Sequence, residues 1–396
     1  MLNRIIHRGT APIGLDIGTG GVRLVQLRRT GSGIEATAAV RLEKRPTDDP
    51  DTAIPERLIE SLKRRVESGD FSGRECVMTF PDHWLSTRSV RLPVMPPEET
   101  DAALALEAGE RLGFSDEAPG EVSWIRGGRV RQGDDWREEI ILVGAERSLL
   151  SELVDAVSET GLQPIAVEPS FLSLGRVYSR RFRREGDREN VRVGLDIGNR
   201  NTSVFVLRGT DVAFYKALRL SGSDFTKAVA ERLDLSIEAA ADLRRQRLRS
   251  SGAGFDESVD RTVYEASRPL IEELAKEAAL CLRYFTVAFT GDRPSEVFTT
   301  GDEGCEPRLA ETLGATLRLD HRIGDPFEGM TIGPRPRLGS WAGAHSAWSS
   351  AVGLSLRGLP KSSRRHTPTE ARPGDEPSAP AVVETPETLE AAEEAA

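Results

Sequence analysis

Cysteine is scarce in this 396-residue chain: Cys76, Cys281 and Cys305 lie far apart and form no Cys-x-x-Cys or Cys/His pattern. An odd, dispersed set argues against a disulfide framework and a zinc site, and fits small buried residues kept reduced. Long apolar runs are missing as well. No stretch approaches the roughly 18 residues that a membrane-spanning helix needs. The opening residues Met1 to Arg8 are charged and lack the apolar stretch and small-residue cleavage site of a secretory signal. A cytoplasmic location is the expectation. Positive charge is in deficit too, with 53 Lys and Arg against 63 Asp and Glu. Nucleic-acid binding rests on cations that neutralise phosphates, so a net charge of -10 argues against it.

What is present points to a globular chain of more than one domain, with 38% hydrophobic and 29% charged residues. Ile13 to Ile17 and Val22 to Leu27 are apolar-rich runs joined by Gly18-Thr19-Gly20-Gly21, which predicts a β-hairpin, and Ile34 to Val40 adds a third strand. Ile54, Leu58, Leu62 and Val66 have the spacing of an amphipathic helix. From 74 to 164 the texture changes. Cys76 to Thr79, Thr87 to Leu92 and Glu139 to Val143 read as strands, and helices are expected from Pro97 and over Leu149 to Thr160, a small α+β unit. Arg180 to Asn190 is a charged joint. Val191 to Leu207 repeats the opening hairpin, and helices follow over Ser223 to Leu233, Ile237 to Leu248 and Val259 to Phe289. Lys361 to Ala396 holds eight acidic and four basic residues and almost no large apolar ones. Such a composition buries too little surface to offset ordering entropy, so an acidic disordered tail is expected over 360–396.

Gly14-Leu15-Asp16-Ile17-Gly18 and Gly194-Leu195-Asp196-Ile197-Gly198 are identical, and each is followed by a turn and a second strand. The pattern suits a phosphate clamp. A strand ends in a carboxylate, and a tight turn (Gly18, Thr19 and Gly20, or Gly198, Asn199, Arg200 and Asn201) then presents backbone N–H groups to an anion. Asp16 and Asp196 would not touch phosphate; they would hold a hydrated Mg²⁺ that bridges to it. Duplication in matching context points to an α/β chain of the actin-like ATPase fold, ribonuclease H-like and duplicated, with ATP and Mg as the expected ligands.

The match extends beyond the hairpins. Leu218 to Lys227, Leu235-Ser236-Ile237-Glu238-Ala239-Ala240, Asp325-Pro326-Phe327, Val167-Glu168-Pro169-Ser170-Phe171 and Ser349 to Gly358 occur in the order of corresponding segments in the PilM family. The chain resembles that family, the cytoplasmic actin-like proteins of type IV pilus assembly, over about residues 11 to 359. The resemblance implies a small α+β domain (74–164) inserted in a first lobe (11–73 with 165–185). A second lobe follows (190–359), with a helical subdomain at 220–290. It also implies Gly222, Gly301 and Gly304 in the nucleotide site. The implied partner is the cytoplasmic N-terminal peptide of a PilN-like inner-membrane protein, which would bring the chain to the inner membrane, with pilus ATPases as further partners. Where the family has more glycine, however, Asp302 and Glu303 stand after Gly301. Extra carboxylates beside a polyphosphate weaken binding unless a metal bridges them, and no residue presents itself as a general base for water. At most a weak ATPase is expected. The alternatives are an FtsA-like polymerising protein, against which the tail lacks an amphipathic membrane helix, and a sugar kinase of the same superfold, for which no catalytic Asp is recognisable before Arg180.

Overall fold

The computed structural model describes residues 9–45, 48–49, 51–180, 190–249, 256–289, 293–338 and 344–359. The expected tail over 360–396 and most of the charged joint, at 181–189, lie outside them. In chain order the first half contains β1 (Ile13–Gly18), β2 (Gly21–Arg29), β3 (Ile34–Glu43), α1 (Glu56–Glu67), β4 (Glu75–Met78), β5 (Ser86–Pro93), α2 (Pro97–Leu112), β6 (Gly120–Gln132), β7 (Asp135–Glu146), α3 (Arg147–Glu159), β8 (Gln163–Val167) and α4 (Ser170–Ser179). The second half contains β9 (Val191–Ile197), β10 (Thr202–Arg208), β11 (Asp211–Leu218), α5 (Gly222–Leu233), α6 (Ile237–Arg249), α7 (Glu257–Ala288), β12 (Glu296–Thr300), α8 (Pro307–Leu317), β13 (Asp320–Ile323), β14 (Thr331–Ile332) and α9 (Ser349–Arg357).

Two sheets are built by one rule. In the first, β1, β2 and β3 form an antiparallel meander, and β4 and then β8 add in parallel on the far side of β1. In the second, β9, β10 and β11 repeat the meander, and β12 and β13 add in parallel beside β9. The near-continuous burial of β2 and β10, which in β2 takes in Arg23 and Gln26, follows from this, because a sheet covered on both faces buries successive side chains in both directions. The expected stripe on α1 is present: Leu58, Leu62 and Val66 are buried. A third sheet of three strands, in the order β5-β7-β6, carries α2, whose Leu104 and Ala108 pack on Ile140 and Leu142.

Two placements differ from the sequence expectation. Strand β4, assigned to the small α+β unit, pairs into the first sheet instead, with β8, most of which was assigned to the first lobe, beside it, leaving Ser86 to Glu146 for the three-stranded sheet. The chain end, assigned to the second lobe, returns to the first: β14 pairs with β3, and α9 lies against β1, β2 and α4. Both are long-range pairings that local periodicity does not encode.

The return of α9 explains a motif glycine. A Cβ on Gly14 would lie 2.0 Å from the carbonyl oxygen of Ala351, and one on Gly353 would lie 2.1 Å from that of Ser173. Backbones meet here, so neither position admits a side chain. Gly194, the counterpart of Gly14, faces the Phe205 ring, 2.2 Å from where its Cβ would stand. The leading glycine of each repeat therefore serves packing. Helices α4 and α9 fill the core between the two large sheets, where Phe171, Leu174, Phe205, Phe298 and Ala351 are fully buried.

Candidate functional site

The hairpins bring Asp16 and Asp196 to the ends of the two central strands β1 and β9, on either side of one cleft. Thr79, at the end of β4, fixes the first: its hydroxyl donates to Asp16 Oδ1 at 3.2 Å and accepts from the Ile17 N–H at 2.9 Å. A third carboxylate, Asp82, stands in the turn after β4 and accepts from Ser170 Oγ at 2.6 Å. A fourth, Asp302, enters from the loop after β12.

A buried cation meets two of them. Arg23 lies directly opposite Asp16 in the β1–β2 register, its Nη1 3.4 Å from Asp16 Oδ2, and its Nη2 donates to Asp302 Oδ1. Arg41 Nη2 lies 3.6 Å from the same Asp302 oxygen. The second hairpin is built differently, with Ser203 opposite Asp196. The electrostatics follow this asymmetry. Burial alone would raise Asp302, but Arg23 and Arg41 outweigh it and hold its carboxyl below the usual range. Burial pushes Asp196 well up, and the charges of Asp82, Asp16 and Asp302 add to that. Burial, with the charge of Asp16 behind it, pushes Asp82 up to about 6 against its hydrogen bonds from Ser170 and Asn201. Asp16 is also raised, by burial first and by Asp302, with Arg23 opposing.

A raised carboxyl pKa means that the folded state binds a proton more tightly than the unfolded chain. Its contribution to stability is complete below the ordinary value of 3.8 and is lost as pH rises through about 6. Asp82→Asn is therefore expected to stabilise the protein by about 1–2 kcal/mol at pH 7.5 and to be neutral near pH 4. Urea melts at several pH values check this; a variant whose stability parallels the parent's across that range removes Asp82 from the explanation.

Four desolvated carboxylates, Asp16, Asp82, Asp196 and Asp302, line the cleft, and among the described residues no group of three or more His, Cys, Asp or Glu is placed to hold a metal ion directly. The cleft's volume is about 70 Å³, enough for a few waters, and Arg23 and Asp302 are joined within it.

The structure brings Asp16, Gly18, Thr19, Gly20, Asp196, Gly198, Asn199, Asn201 and Gly301 to the cleft lining. It places three expected residues elsewhere. Arg200 reaches out of the turn to Asp51 at 2.6 Å. Gly222, at the start of α5, gives its N–H to Gly198 O at 2.9 Å and lies under Glu303, whose Cγ would be 2.4 Å from a Cβ there. Gly304 packs on the Thr300 backbone, 2.2 Å from its carbonyl oxygen at the Cβ position. Gly301 has φ +87°, and a Cβ on it would meet Asp196 Oδ1 at 2.6 Å, so only glycine brings this loop against the carboxylate. Glu303, the other carboxylate of this loop, is neutralised locally, paired with Arg244 Nη2 at 2.5 Å.

Sequence reasoning missed Arg23, Asp82, Ser170, Ser346 and Ser350, which also line the cleft. Arg23 had a signal, since a turn at Gly18 to Gly21 sets Asp16 and Arg23 opposite one another. The others come from distant segments and had none.

Two sheets of one repeated topology, with a carboxylate-bearing hairpin in each facing a shared cleft, define an actin-like ATPase fold. Within it the chain belongs to the family of type IV pilus assembly protein PilM, whose family model matches residues 14–359. Among solved structures it is similar to a PilM-PilN type IV pilus biogenesis complex, at 22% identity over 89% of this chain and 99% of that one, with a TM-score of 0.70. The ethanolamine utilization protein EutJ from Carboxydothermus hydrogenoformans matches at 12% identity over 88% and 89% of the chains, with a TM-score of 0.47. The activator of the 2-hydroxyisocaproyl-CoA dehydratase from Clostridium difficile, with bound ADPNP, matches at 12% over 88% and 94%, with a TM-score of 0.40.

Proposed function

We propose that the chain is a cytoplasmic scaffold of type IV pilus, or related secretion, assembly that grips the N-terminal cytoplasmic peptide of a PilN-like inner-membrane protein. The observation that carries this reading is a second, apolar groove where the three-stranded sheet meets α3 and β8. Its volume is about 470 Å³, and Leu85, Val122, Val143, Leu150, Val154 and Val167 line it. Glu121 and Arg147, paired at 2.6 Å, stand at its rim. An extended peptide lays alternate side chains into such a groove while polar rim groups set its direction. Membrane association then comes through the partner, and no helix among the described residues is long and apolar enough to cross a membrane. In the same reading Ser86 to Glu146 is a module inserted into the first of two lobes, so the groove is the seam between module and lobe. The Asp16 and Asp196 cleft is a separate phosphate site, where the two carboxylates would hold Mg²⁺ through water.

A large side chain at an exposed groove position tests this without disturbing the core. Ser151 is exposed on α3, and Ser151→Trp is expected to weaken binding of a labelled PilN-like N-terminal peptide about thirtyfold in fluorescence anisotropy. Failure of the parent chain to bind any such peptide would sink the assignment. Equal affinity of parent and variant would move the groove elsewhere.

A further inference from the structure

Asp302 lies far from the first hairpin in sequence, yet its carboxylate rests in the hairpin turn. Arg23 Nη2 donates to Asp302 Oδ1, and Oδ2 lies 3.2 Å from the Cβ position of Gly20. The carboxylate thus pairs with the guanidinium and lies beside the glycine turn, the two groups that together would receive a phosphate anion. The loop that delivers the carboxylate is fixed from behind. Gly301 abuts Asp196, the Glu303 N–H donates to Ile197 O at 3.0 Å, Arg244 holds Glu303 and Arg247 holds Glu306. Asp302 is thus held in place by its own backbone, and its side chain keeps 22% exposure toward the cleft.

We propose that Asp302 is a built-in competitor for nucleotide phosphate: its carboxylate takes the anion position on Arg23 and Gly20, so the resting chain is a scaffold with a closed, self-occupied cleft. This rests on the reading of that cleft as a phosphate site. A phosphate must displace Asp302 from Arg23 and leave a desolvated carboxylate beside its own negative charge, which lowers affinity. With the charge at 302 removed, Arg23 keeps Asp16 as partner and presents its second guanidinium edge to the ligand.

Titration calorimetry of the full chain with ATP and with tripolyphosphate, each with and without Mg²⁺, tests the idea. Asp302→Asn is expected to bind ATP at least about tenfold more tightly than the parent. Arg41→Gln, which loosens the hold on Asp302 at an exposed position, is expected to gain about threefold. The charge-balanced double variant Arg23→Gln with Asp302→Asn is expected to lose the gain. If the parent binds ATP and neither D302N nor R41Q tightens it, the competitor is overturned while the phosphate site stands. If no variant binds ATP or tripolyphosphate, the phosphate site falls as well, whatever the outcome with the peptide. Should D302N fail to fold, R41Q decides alone.

Discussion

Gly14→Ala is expected to destabilise the protein by about 3 kcal/mol or more. The added methyl would sit 2.0 Å from the Ala351 carbonyl oxygen and 2.7 Å from the Ser355 amide nitrogen. Neither neighbour is a flexible side chain. Relief requires moving α9, and α9 carries Ala351, Val352 and Leu354, all fully buried. The same helix meets α4 at Gly353, so Gly353→Ala is expected to cost a similar amount by the same mechanism. Gly31→Ala supplies the control, because nothing lies within 4 Å of its Cβ position. Chemical denaturation of the three variants checks the prediction, and near-parental stability of Gly14→Ala would show that α9 does not press on β1 as described.

Arg23→Met is expected to cost about 3–5 kcal/mol at pH 7.5, the scale for removing one partner of a buried ion pair. Arg23 is 5% exposed and faces both Asp16 and Asp302. In the parent, the lowered pKa of Asp302 gives stability that is present above the ordinary value of 3.8 and is lost as pH falls through the folded-state value. Without the guanidinium, burial is opposed chiefly by the more distant Arg41 at Asp302 and by hydrogen bonds from Ser350 and Thr79 at Asp16, so both carboxyls rise and the variant takes up protons more readily. The loss should therefore shrink toward pH 4 and grow as pH rises. Arg23→Met combined with Asp302→Asn should regain part of it, because the two sites are in direct contact. Denaturation at pH 4.5 and 7.5 reads both effects; a loss independent of pH would make Arg23 a packing residue whose charge is immaterial.

The hairpins were legible because everything that makes them is local. Two apolar runs, a turn of small residues and a terminal carboxylate are contiguous, and the identity of Gly14 to Gly18 with Gly194 to Gly198 tied the halves together. The helices α1, α2 and α3 were legible for the same reason, from spacing, from Pro97 and from Gly161. The cleft was half legible. Its carboxylates Asp16 and Asp196 and its turn residues stand where expected, while Gly222 and Gly304 turned out to be covered by Glu303 and by the Thr300 backbone. A glycine in a sequence announces close approach without saying what approaches.

Sequence alone determined that this chain is a duplicated α/β protein with a carboxylate at the end of each repeat's first strand, since short-range alternation and turn chemistry act within a few residues. Tertiary structure alone decided what surrounds those carboxylates. It brought Asp302 to Arg23 across 279 positions, α9 back against Gly14, and Asp82 and Ser170 together from segments 88 positions apart. Contacts of that span are set by which strands pair and which helices cover them. The charge state of the cleft, with Asp302 held ionised by Arg23 and Asp196 pushed toward its proton, exists only once the chain has folded.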